Sequence, residues 1–233
     1  MNITDNRKLQ TQKDYSIISN LYQNDFGKDY DHFSLVDEVV KHFKSPLLNG
    51  YPIVDLGCGS GVVTDYIALK GVENIKAIDI TPAFCEMVKK NHPQKVEVIC
   101  TDMVEYLKQA VDTSVGAYIA NYSVIHIPDE EVDELFKNIH RTLANNGLFL
   151  MSCHKGSFKG MEQEPYQQQK DERLKSDEQL ESYMNYFMED ELKNRIEKVG
   201  LRILSIDTFE TKDVPGEIAV PKIWVLAQKQ VEG

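Results

Sequence analysis

The stretch from Ile53 to Gly61 constrains the fold more than any other part of the chain. A short apolar run ends on Asp55, and three glycines follow at alternate positions. Apolar residues then recur at helical spacing up to Gly71. This order predicts a buried strand, a tight glycine turn and a helix, because glycine allows sharp turns and leaves room for a ligand against the main chain.

The glycine spacing separates two kinds of binding turn. A dinucleotide-binding turn has the pattern G-x-G-x-x-G and seats a pyrophosphate. Here the pattern is G-x-G-x-G, and Asp55 lies two residues before Gly57. A carboxylate is a poor neighbour for a phosphate and a good one for an ammonium group. The turn therefore disfavours a nicotinamide-dependent oxidoreductase.

Short apolar runs alternate with helical patterns along the chain. Strands are predicted at 52–56, 75–80, 96–101, 115–120, 148–152, 201–209 and 218–228. The alternation of strand and helix predicts a doubly wound, mostly parallel α/β sheet. The helix that opens at Asp129 is predicted to close at 145–147, with Gly147 in a left-handed conformation.

Acidic residues follow two of these strands. Asp79 ends the second strand, 18 residues after Gly61, where a carboxylate can accept hydrogen bonds from both hydroxyls of a ribose. Asp102 follows the third strand, directly before Met103. Asp102 also stands where a helix N-cap is expected, and one side chain can serve both purposes.

Four pieces of the sequence occur in an order that is typical of one family. They are the glycine turn with Asp55, the acid Asp79, the pair Asp102-Met103 and the segment from Asn121 to Gly147. Together they resemble the class I S-adenosylmethionine-dependent methyltransferases that act on small molecules. The resemblance covers roughly residues 50–229, most securely 53–152. It implies a Rossmann-like sheet of seven strands, with the last strand antiparallel between its neighbours.

The resemblance also implies which residues hold the cofactor, S-adenosylmethionine. Its methionine amino group is expected near Asp55, its ribose at Asp79, and its adenine beside Asp102 and Met103. The expected cofactor-binding residues are Asp55, Gly57, Cys58, Gly59, Gly61, Asp79, Ile80, Asp102, Met103, Asn121 and Tyr22.

The N-terminal region is expected to cover the cleft. Residues 1–14 are polar and are expected to be loosely packed, and apolar positions from 15 to 43 predict two or three helices with a break near Gly27. We therefore expect an N-terminal helical cap over 1–45 and a Rossmann-like methyltransferase domain over 46–233. Tyr15 and Tyr22 would either contact ligands or pack the helices onto the sheet, and packing is the favoured interpretation.

The stretch 154–187 is a predicted insertion after the fifth strand. It is polar, rich in glutamine, glutamate and lysine, and shows no clear apolar period. Loops at the carboxyl ends of strands form the ligand crevice in such sheets. We therefore expect a lid or substrate-binding loop with at most a short helix, and the alternative is a solvated loop without a role.

Methyl transfer from a sulfonium requires few side chains, because the methyl group is already activated. The protein mainly holds donor and acceptor in line and excludes water, and a general base is needed only when the acceptor must lose a proton. The candidate catalytic bases are His126 and His154, with His32 less favoured. For His126 the favoured alternative is a hydrogen bond to backbone that fixes its loop.

Composition limits the partners. The chain has 233 residues and a net charge of -11, which argues against nucleic-acid and anionic-membrane partners. No apolar stretch resembles a signal peptide or a membrane span. The four cysteines lack CxxC spacing and are expected to be reduced, cytosolic thiols. No zinc-type spacing is present, so we expect no metal.

The sequence thus predicts a cytoplasmic methyltransferase that moves a methyl group to an O, N or S atom of a small-molecule acceptor. The alternative is a sensor or scaffold that has the same fold and binds the cofactor without turnover. The identity of the acceptor and the oligomeric state are not predicted.

Overall fold

The computed structural model describes residues 5–27, 33–44, 47–92, 94–211 and 220–231. Its strands are β1 (Ile53–Leu56), β2 (Ile75–Asp79), β3 (Val96–Cys100), β4 (Val115–Asn121), β5 (Leu143–His154), β6 (Lys159–Gln163), β7 (Glu181–Asn185), β8 (Leu201–Thr211) and β9 (Val220–Lys229). Its helices are α1 (Asn6–Phe26), α2 (Ser34–Phe43), α3 (Val62–Leu69), α4 (Pro82–Asn91), α5 (Met103–Gln109), α6 (Asp129–Thr142), α7 (Pro165–Gln168) and α8 (Glu189–Lys198), and a short 3-10 turn covers Val124–His126.

Seven strands form one sheet in the order β3-β2-β1-β4-β5-β9-β8. The first five strands pair in parallel, whereas β9 runs antiparallel between β5 and β8. The predicted doubly wound sheet, with its antiparallel last strand, is confirmed. The direction of winding reverses between β1 and β4, and in such sheets ligands bind in the crevice at the carboxyl ends of the strands beside that point.

Apolar side chains cover both faces of this sheet. On one face, α5, α6 and α8 pack against the strands through the buried residues Leu107, Phe136 and Leu192. On the other face, α2 and α3 pack through Val36 and Ile67. The helix α2 is thus part of the core of the domain.

The first helix, α1, begins at Asn6, so the predicted loosely packed start is wrong from that residue onward. Thr11 and Asp14 are only 4 and 0 % exposed. Their side chains accept the backbone N–H groups of Tyr183 and Glu181 in β7, at 3.0 and 2.5 Å. The prediction failed because polar contacts hold this part of α1, whereas the sequence pattern typical of a packed helix is an apolar stripe. The predicted break near Gly27 is confirmed.

The insertion after β5 contains a hairpin. The strands β6 and β7 pair antiparallel as a separate two-stranded sheet, with α7 between them along the chain. The predicted short helix is present, but the hairpin was missed. The strand β7 contacts α1 and also the 3-10 turn after β4. Because it is packed on more than one side, its residues do not alternate between apolar and polar types.

The end of α6 also differs from the prediction. The helix ends at Thr142 and β5 begins at the next residue, so no glycine closes the helix. Asn146, with a φ of 65°, takes the left-handed conformation that was predicted for Gly147. Gly147 is needed for space instead, because a Cβ there would lie 2.7 Å from the carbonyl oxygen of Ala144.

We predict that Thr11→Val destabilises the protein by about 1–3 kcal/mol, the usual cost of leaving a buried polar group without its partner. Valine has nearly the shape of threonine but cannot accept the Tyr183 N–H group, and it also loses the bond from the Thr11 hydroxyl to the carbonyl of Arg7. Urea denaturation measures the change in the free energy of unfolding.

Ser16→Ala is the matched control. Ser16 lies on the exposed side of the same helix, and its hydroxyl makes the same kind of internal bond, to the carbonyl of Gln12. Equal free energies of unfolding for the two variants would contradict the role of Thr11 in docking α1 onto β7.

Candidate functional site

A cavity opens at the carboxyl ends of β1, β2 and β4, beneath α1. The lining residues are Lys8, Thr11, Tyr15, Tyr22, Gly57, Gly59, Ile78, Asp79, Ile80, Thr81, Phe84, Thr101, Asp102, Met103, Asn121, Tyr122, Ser123, His126 and Ile127. They come from α1, from the glycine turn and from the ends of β2, β3 and β4, so the fold collects segments that lie far apart in the sequence.

The glycine turn between β1 and α3 can follow its path only with glycine. Gly57 has a φ of 71°, and a Cβ on it would lie 2.3 Å from the Cβ of Ser123. Gly61, with a φ of 95°, leaves room for Val88, whose Cγ2 would be 2.8 Å from an added Cβ. Both the backbone conformation and the space exclude other side chains at these positions.

Asp79, at the end of β2, fixes the glycine turn from the other side. Its carboxylate accepts the N–H groups of Gly59 and Thr81 at 2.8 and 2.7 Å. Burial raises the pKa of this carboxyl above its ordinary value, although the two N–H groups act in the opposite direction. Each carboxylate oxygen can accept more than one hydrogen bond, so Asp79 lines the cavity with further acceptor capacity.

Asp55 lies behind the glycine turn, is 1 % exposed and does not line the cavity. Its carboxylate accepts the hydroxyl of Thr64 at 2.7 Å. Burial raises the pKa of Asp55 to about 7; the Thr64 hydroxyl opposes this shift and the charge of Asp79 adds to it. A cation bound near the turn would favour the ionised form of Asp55.

Asp102 caps helix α5 and also lines the cavity. One of its oxygens accepts the N–H groups of Val104 and Glu105, which confirms the predicted N-cap of α5. The other oxygen lies 2.8 Å from the ammonium nitrogen of Lys8, which also lies 2.6 Å from a carboxylate oxygen of Glu131. Lys8 is 7 % exposed, and through these two ion pairs it attaches α1 to the rim of the sheet.

His126 is hydrogen-bonded at both ring nitrogens. Nδ1 lies 2.8 Å from the carbonyl oxygen of Tyr183 in β7, and Nε2 lies 3.0 Å from the hydroxyl of Tyr15 in α1. A carbonyl can only accept, so Nδ1 carries the proton, and Nε2 of the neutral ring accepts from Tyr15. Burial lowers the pKa of His126 to about 4, which keeps the ring neutral at physiological pH. The predicted bond from this histidine to backbone is confirmed.

Aromatic rings form the wall between α1 and α4. Tyr15, Tyr22 and Phe84 contact one another, with ring centroids 5.8 Å apart for the two tyrosines and 5.9 and 5.7 Å from each tyrosine to Phe84. Both tyrosines therefore pack against Phe84 and also line the cavity, and their contact with a ligand stays a prediction.

The cavity brings together most of the residues that the sequence singled out. Its lining includes Tyr22, Gly57, Gly59, Asp79, Ile80, Asp102, Met103, Asn121 and His126, but not Asp55, Cys58, Gly61 or His154. His154 is 6 % exposed, and its ring packs against Tyr186 with centroids 4.8 Å apart. The geometry therefore favours His126 over His154 as a group that meets a ligand. His32 lies outside the described residues.

Lys8, Thr11 and Phe84 were not predicted to line a site. Lys8 and Thr11 belong to the polar start of α1, where no pattern marks them. Phe84 lies in the first turn of α4, a helix that begins shortly after Asp79, and this position was the available signal.

No described helix is long and apolar enough to cross a membrane. Within the same residues, no group of three or more His, Cys, Asp or Glu side chains could hold a metal ion. The four cysteines are free thiols.

A family described as a methyltransferase domain matches residues 53–147. The matched range begins with β1 and ends within β5. It contains the glycine turn, Asp79, Asp102 and the loop with His126. The region with the most specific motifs is therefore also the region that the family describes.

Two curated relatives match about half of this chain. A ribosomal protein L11 methyltransferase from Carboxydothermus hydrogenoformans is 31% identical over 51% of this chain and 37% of its own length. A carboxy-S-adenosyl-L-methionine synthase from Nautilia profundicola is 34% identical over 52% of this chain and 51% of its own length. The chain thus spans about half or less of the length of these two relatives.

A solved structure is similar over nearly the whole chain. It is the 1,6-didemethyltoxoflavin-N1-methyltransferase of Burkholderia thailandensis, with bound 1,6-didemethyltoxoflavin and S-adenosylhomocysteine. Its sequence is 14% identical to that of this chain, and the TM-score is 0.68. The similarity covers 99% of this chain and 92% of the length of the solved structure. At this identity the similarity shows a shared fold. Residues 53–147 thus match a methyltransferase domain, and the strand order and the glycine turn agree with that match.

Proposed function

We propose that this chain binds S-adenosylmethionine and transfers its methyl group to an O, N or S atom of a small-molecule acceptor. The observation that carries the proposal is the composition of a single cavity. Gly57, Asp79 and Met103 line it from the ends of the first three strands, and His126 and Tyr15 line it from the loop after β4 and from α1.

The residues at the first three strands fit the cofactor chemically. Gly57 has no side chain to cover its main chain, since an added Cβ would collide with Ser123. The remaining acceptor capacity of Asp79 suits the two hydroxyls of a ribose. Asp102 suits the amino group of adenine, since an oxygen that pairs with Lys8 can accept a second bond. Met103 offers an apolar side chain to the base, and when bound the cofactor supplies an activated methyl group.

Asp55 and Asn121 have supporting places in this proposal. Asp55, behind the glycine turn, stabilises the ammonium group of the cofactor by its charge and not by direct contact. Asn121 lines the cavity at the end of β4, and its side-chain oxygen accepts the hydroxyl of Ser152 at 2.7 Å. That bond fixes the amide, so that its NH₂ group is available to a ligand.

Helix α1 covers the cavity, and this arrangement suits an in-line displacement. Gln12 of α1 donates to the carbonyl of Ile80 at 2.6 Å, and Lys8 and Thr11 hold the same helix at two further points. A cover held in this way excludes water and keeps donor and acceptor close to the geometry of reaction.

The same cover favours a small acceptor over a segment of a folded protein. Tyr15 and Tyr22 of α1 line the cavity, so a protein substrate would have to displace this helix. One relative is named a ribosomal protein L11 methyltransferase, but it matches only 51% of the chain. The solved structure that is similar almost throughout contains a small-molecule ligand, which supports a small acceptor. The free thiols suit a cytosolic location.

Asp79→Ala is expected to weaken the binding of S-adenosylhomocysteine about 100-fold or more, because each hydrogen bond to a charged group contributes roughly 1.5–3 kcal/mol. Isothermal titration calorimetry measures the dissociation constant, and circular dichroism checks the fold. Glu86→Ala is the control, since this exposed acid of α4 carries the same charge and does not line the cavity. Unchanged affinity in a folded Asp79→Ala variant would rule out the ribose assignment.

Cofactor binding is also expected to release a proton at about pH 6. The pKa of Asp55 is about 7, so its carboxyl is mostly protonated there, and a bound ammonium group favours the ionised form. Affinity for S-adenosylhomocysteine should therefore rise as the pH increases through 7. Calorimetry in buffers of different ionisation enthalpy measures the released proton. If Asp55→Asn releases as much proton as the original chain, Asp55 is not the responsive group.

A further inference from the structure

Tyr15 and His126 form a hydrogen-bonded pair in which the backbone determines the position of the protons. The Tyr15 hydroxyl donates to Nε2 of His126 at 3.0 Å, and both side chains line the cavity. Nδ1 donates to the carbonyl of Tyr183 at 2.8 Å, so the ring cannot change tautomer without losing that bond. Since Nε2 already accepts from Tyr15, a ligand reaches the basic nitrogen through the tyrosine oxygen.

We propose that Tyr15 and His126 together remove the proton of the methyl acceptor, and that the acceptor is a neutral aromatic molecule with an O–H or ring N–H group. This inference rests on the proposed methyl transfer and adds the catalytic residue, Tyr15, that meets the proton of the acceptor.

The step balances in protons and electrons. The X–H bond of the acceptor breaks and its proton moves to the Tyr15 oxygen, while the proton of Tyr15 moves to Nε2 of His126. The acceptor keeps the electron pair and uses it for the new bond to the methyl carbon, and the pair of the broken carbon–sulfur bond stays with sulfur. His126 becomes an imidazolium, still bonded through Nδ1–H to Tyr183, and later releases the proton to water.

The charges of the lining select a neutral acceptor. Lys8 is the one Lys or Arg among the lining residues in the part of the chain that the structure describes. Its ammonium group lies within 2.8 Å of Asp102 and within 2.6 Å of Glu131. A carboxylate acceptor would therefore add negative charge beside acidic side chains without a dedicated cation. A carboxylate acceptor also has no proton to lose, so Tyr15 and His126 would have no proton to remove.

The shape of the wall selects a flat molecule. The rings of Tyr15, Tyr22 and Phe84 contact one another and face the cavity on the side of α1 and α4. Aromatic rings bury a large apolar surface and favour stacked or edge-to-face partners. An aromatic acceptor that packs here brings its O–H or N–H group to the Tyr15 oxygen.

Nitrogen NMR of the protein with ¹⁵N-labelled histidine tests the pair without turnover. His126, assigned with His126→Gln, is expected as the neutral Nδ1–H tautomer down to about pH 5. Tyr15→Phe removes the donor to Nε2, so the Nε2 resonance should shift and the pKa of His126 should rise, because the lost bond favoured the neutral ring. An Nε2–H tautomer, or a spectrum that Tyr15→Phe leaves unchanged, overturns the pair.

Turnover with methyl-labelled S-adenosylmethionine tests the role of the pair, with phenol, 4-nitrophenol, benzimidazole and benzoate as probes. Tyr15→Phe is expected to slow methylation of phenol by about 10²–10⁴-fold, the usual contribution of a general base. It should slow methylation of 4-nitrophenol much less, because that acceptor ionises unaided near neutral pH. Tyr66→Phe is the control, since it removes a hydroxyl that is bonded to Asp37 and does not line the cavity.

The pH profile separates a base from a residue that only positions the acceptor. The original chain should be active at a constant rate above about pH 5 and lose activity as His126 gains a proton below that. Tyr15→Phe should gain rate with rising pH, as the acceptor ionises in solution. Equal losses for phenol and 4-nitrophenol, with an unchanged profile, overturn the proton relay.

The remaining outcomes distinguish the inference from the proposed function. Preferred methylation of benzoate overturns the neutral acceptor. No methylation of any probe by protein that binds S-adenosylhomocysteine overturns the aromatic O–H or N–H acceptor and leaves the cofactor site intact. Failure to bind S-adenosylhomocysteine overturns the proposed function, and the NMR result still decides whether the pair exists.

Discussion

The backbone of Tyr183 joins the parts that enclose the cavity. Its N–H group donates to Thr11 of α1, and its carbonyl accepts from His126 in the loop after β4. Both groups are available because β7 pairs with β6 on one edge only, which leaves its other edge to side chains. Asn185 of the same strand donates to the carbonyl of Ile127 and holds this loop at a second point. One peptide segment thus places the helix over the cavity and sets the tautomer of the histidine inside it.

A second contact of this kind organises the opposite side of the cavity. Asp79 accepts the N–H group of Gly59, so the strand that presents the acid also fixes the glycine turn. Gly57 lies against Ser123, which binds the carbonyl of Leu56 and ties the turn to the loop after β4. The two halves of the site therefore share a rigid scaffold before any ligand arrives. Such preorganisation is what a displacement reaction requires, because the protein contributes position more than reactive groups.

The sequence predicted the structure best where short-range patterns determine which residue type stands at a position. The strand, glycine turn and helix that begin at Ile53, the acid at Asp79 and the N-cap at Asp102 follow from short-range patterns, and the structure contains each of them. The sequence was least informative where polar groups pair over long separations. Tyr183 and Thr11 are 172 positions apart, and Tyr15 and His126 are 111 apart. No periodicity marks such pairs, and the low pKa of His126 arises from burial that exists only in the folded chain. The two roles weighed for this histidine, structural and catalytic, use different ring nitrogens and do not exclude each other.

The most direct test is a crystal structure of the chain grown with S-adenosylhomocysteine. We expect the ribose at Asp79, the adenine between Asp102 and Met103, and the amino-acid end over the glycine turn. We also expect the sulfur to face the space beside Tyr15 and His126, with α1 in place over the ligand. A ligand bound outside this cavity, or one whose sulfur faces away from the Tyr15–His126 pair, would contradict these expectations.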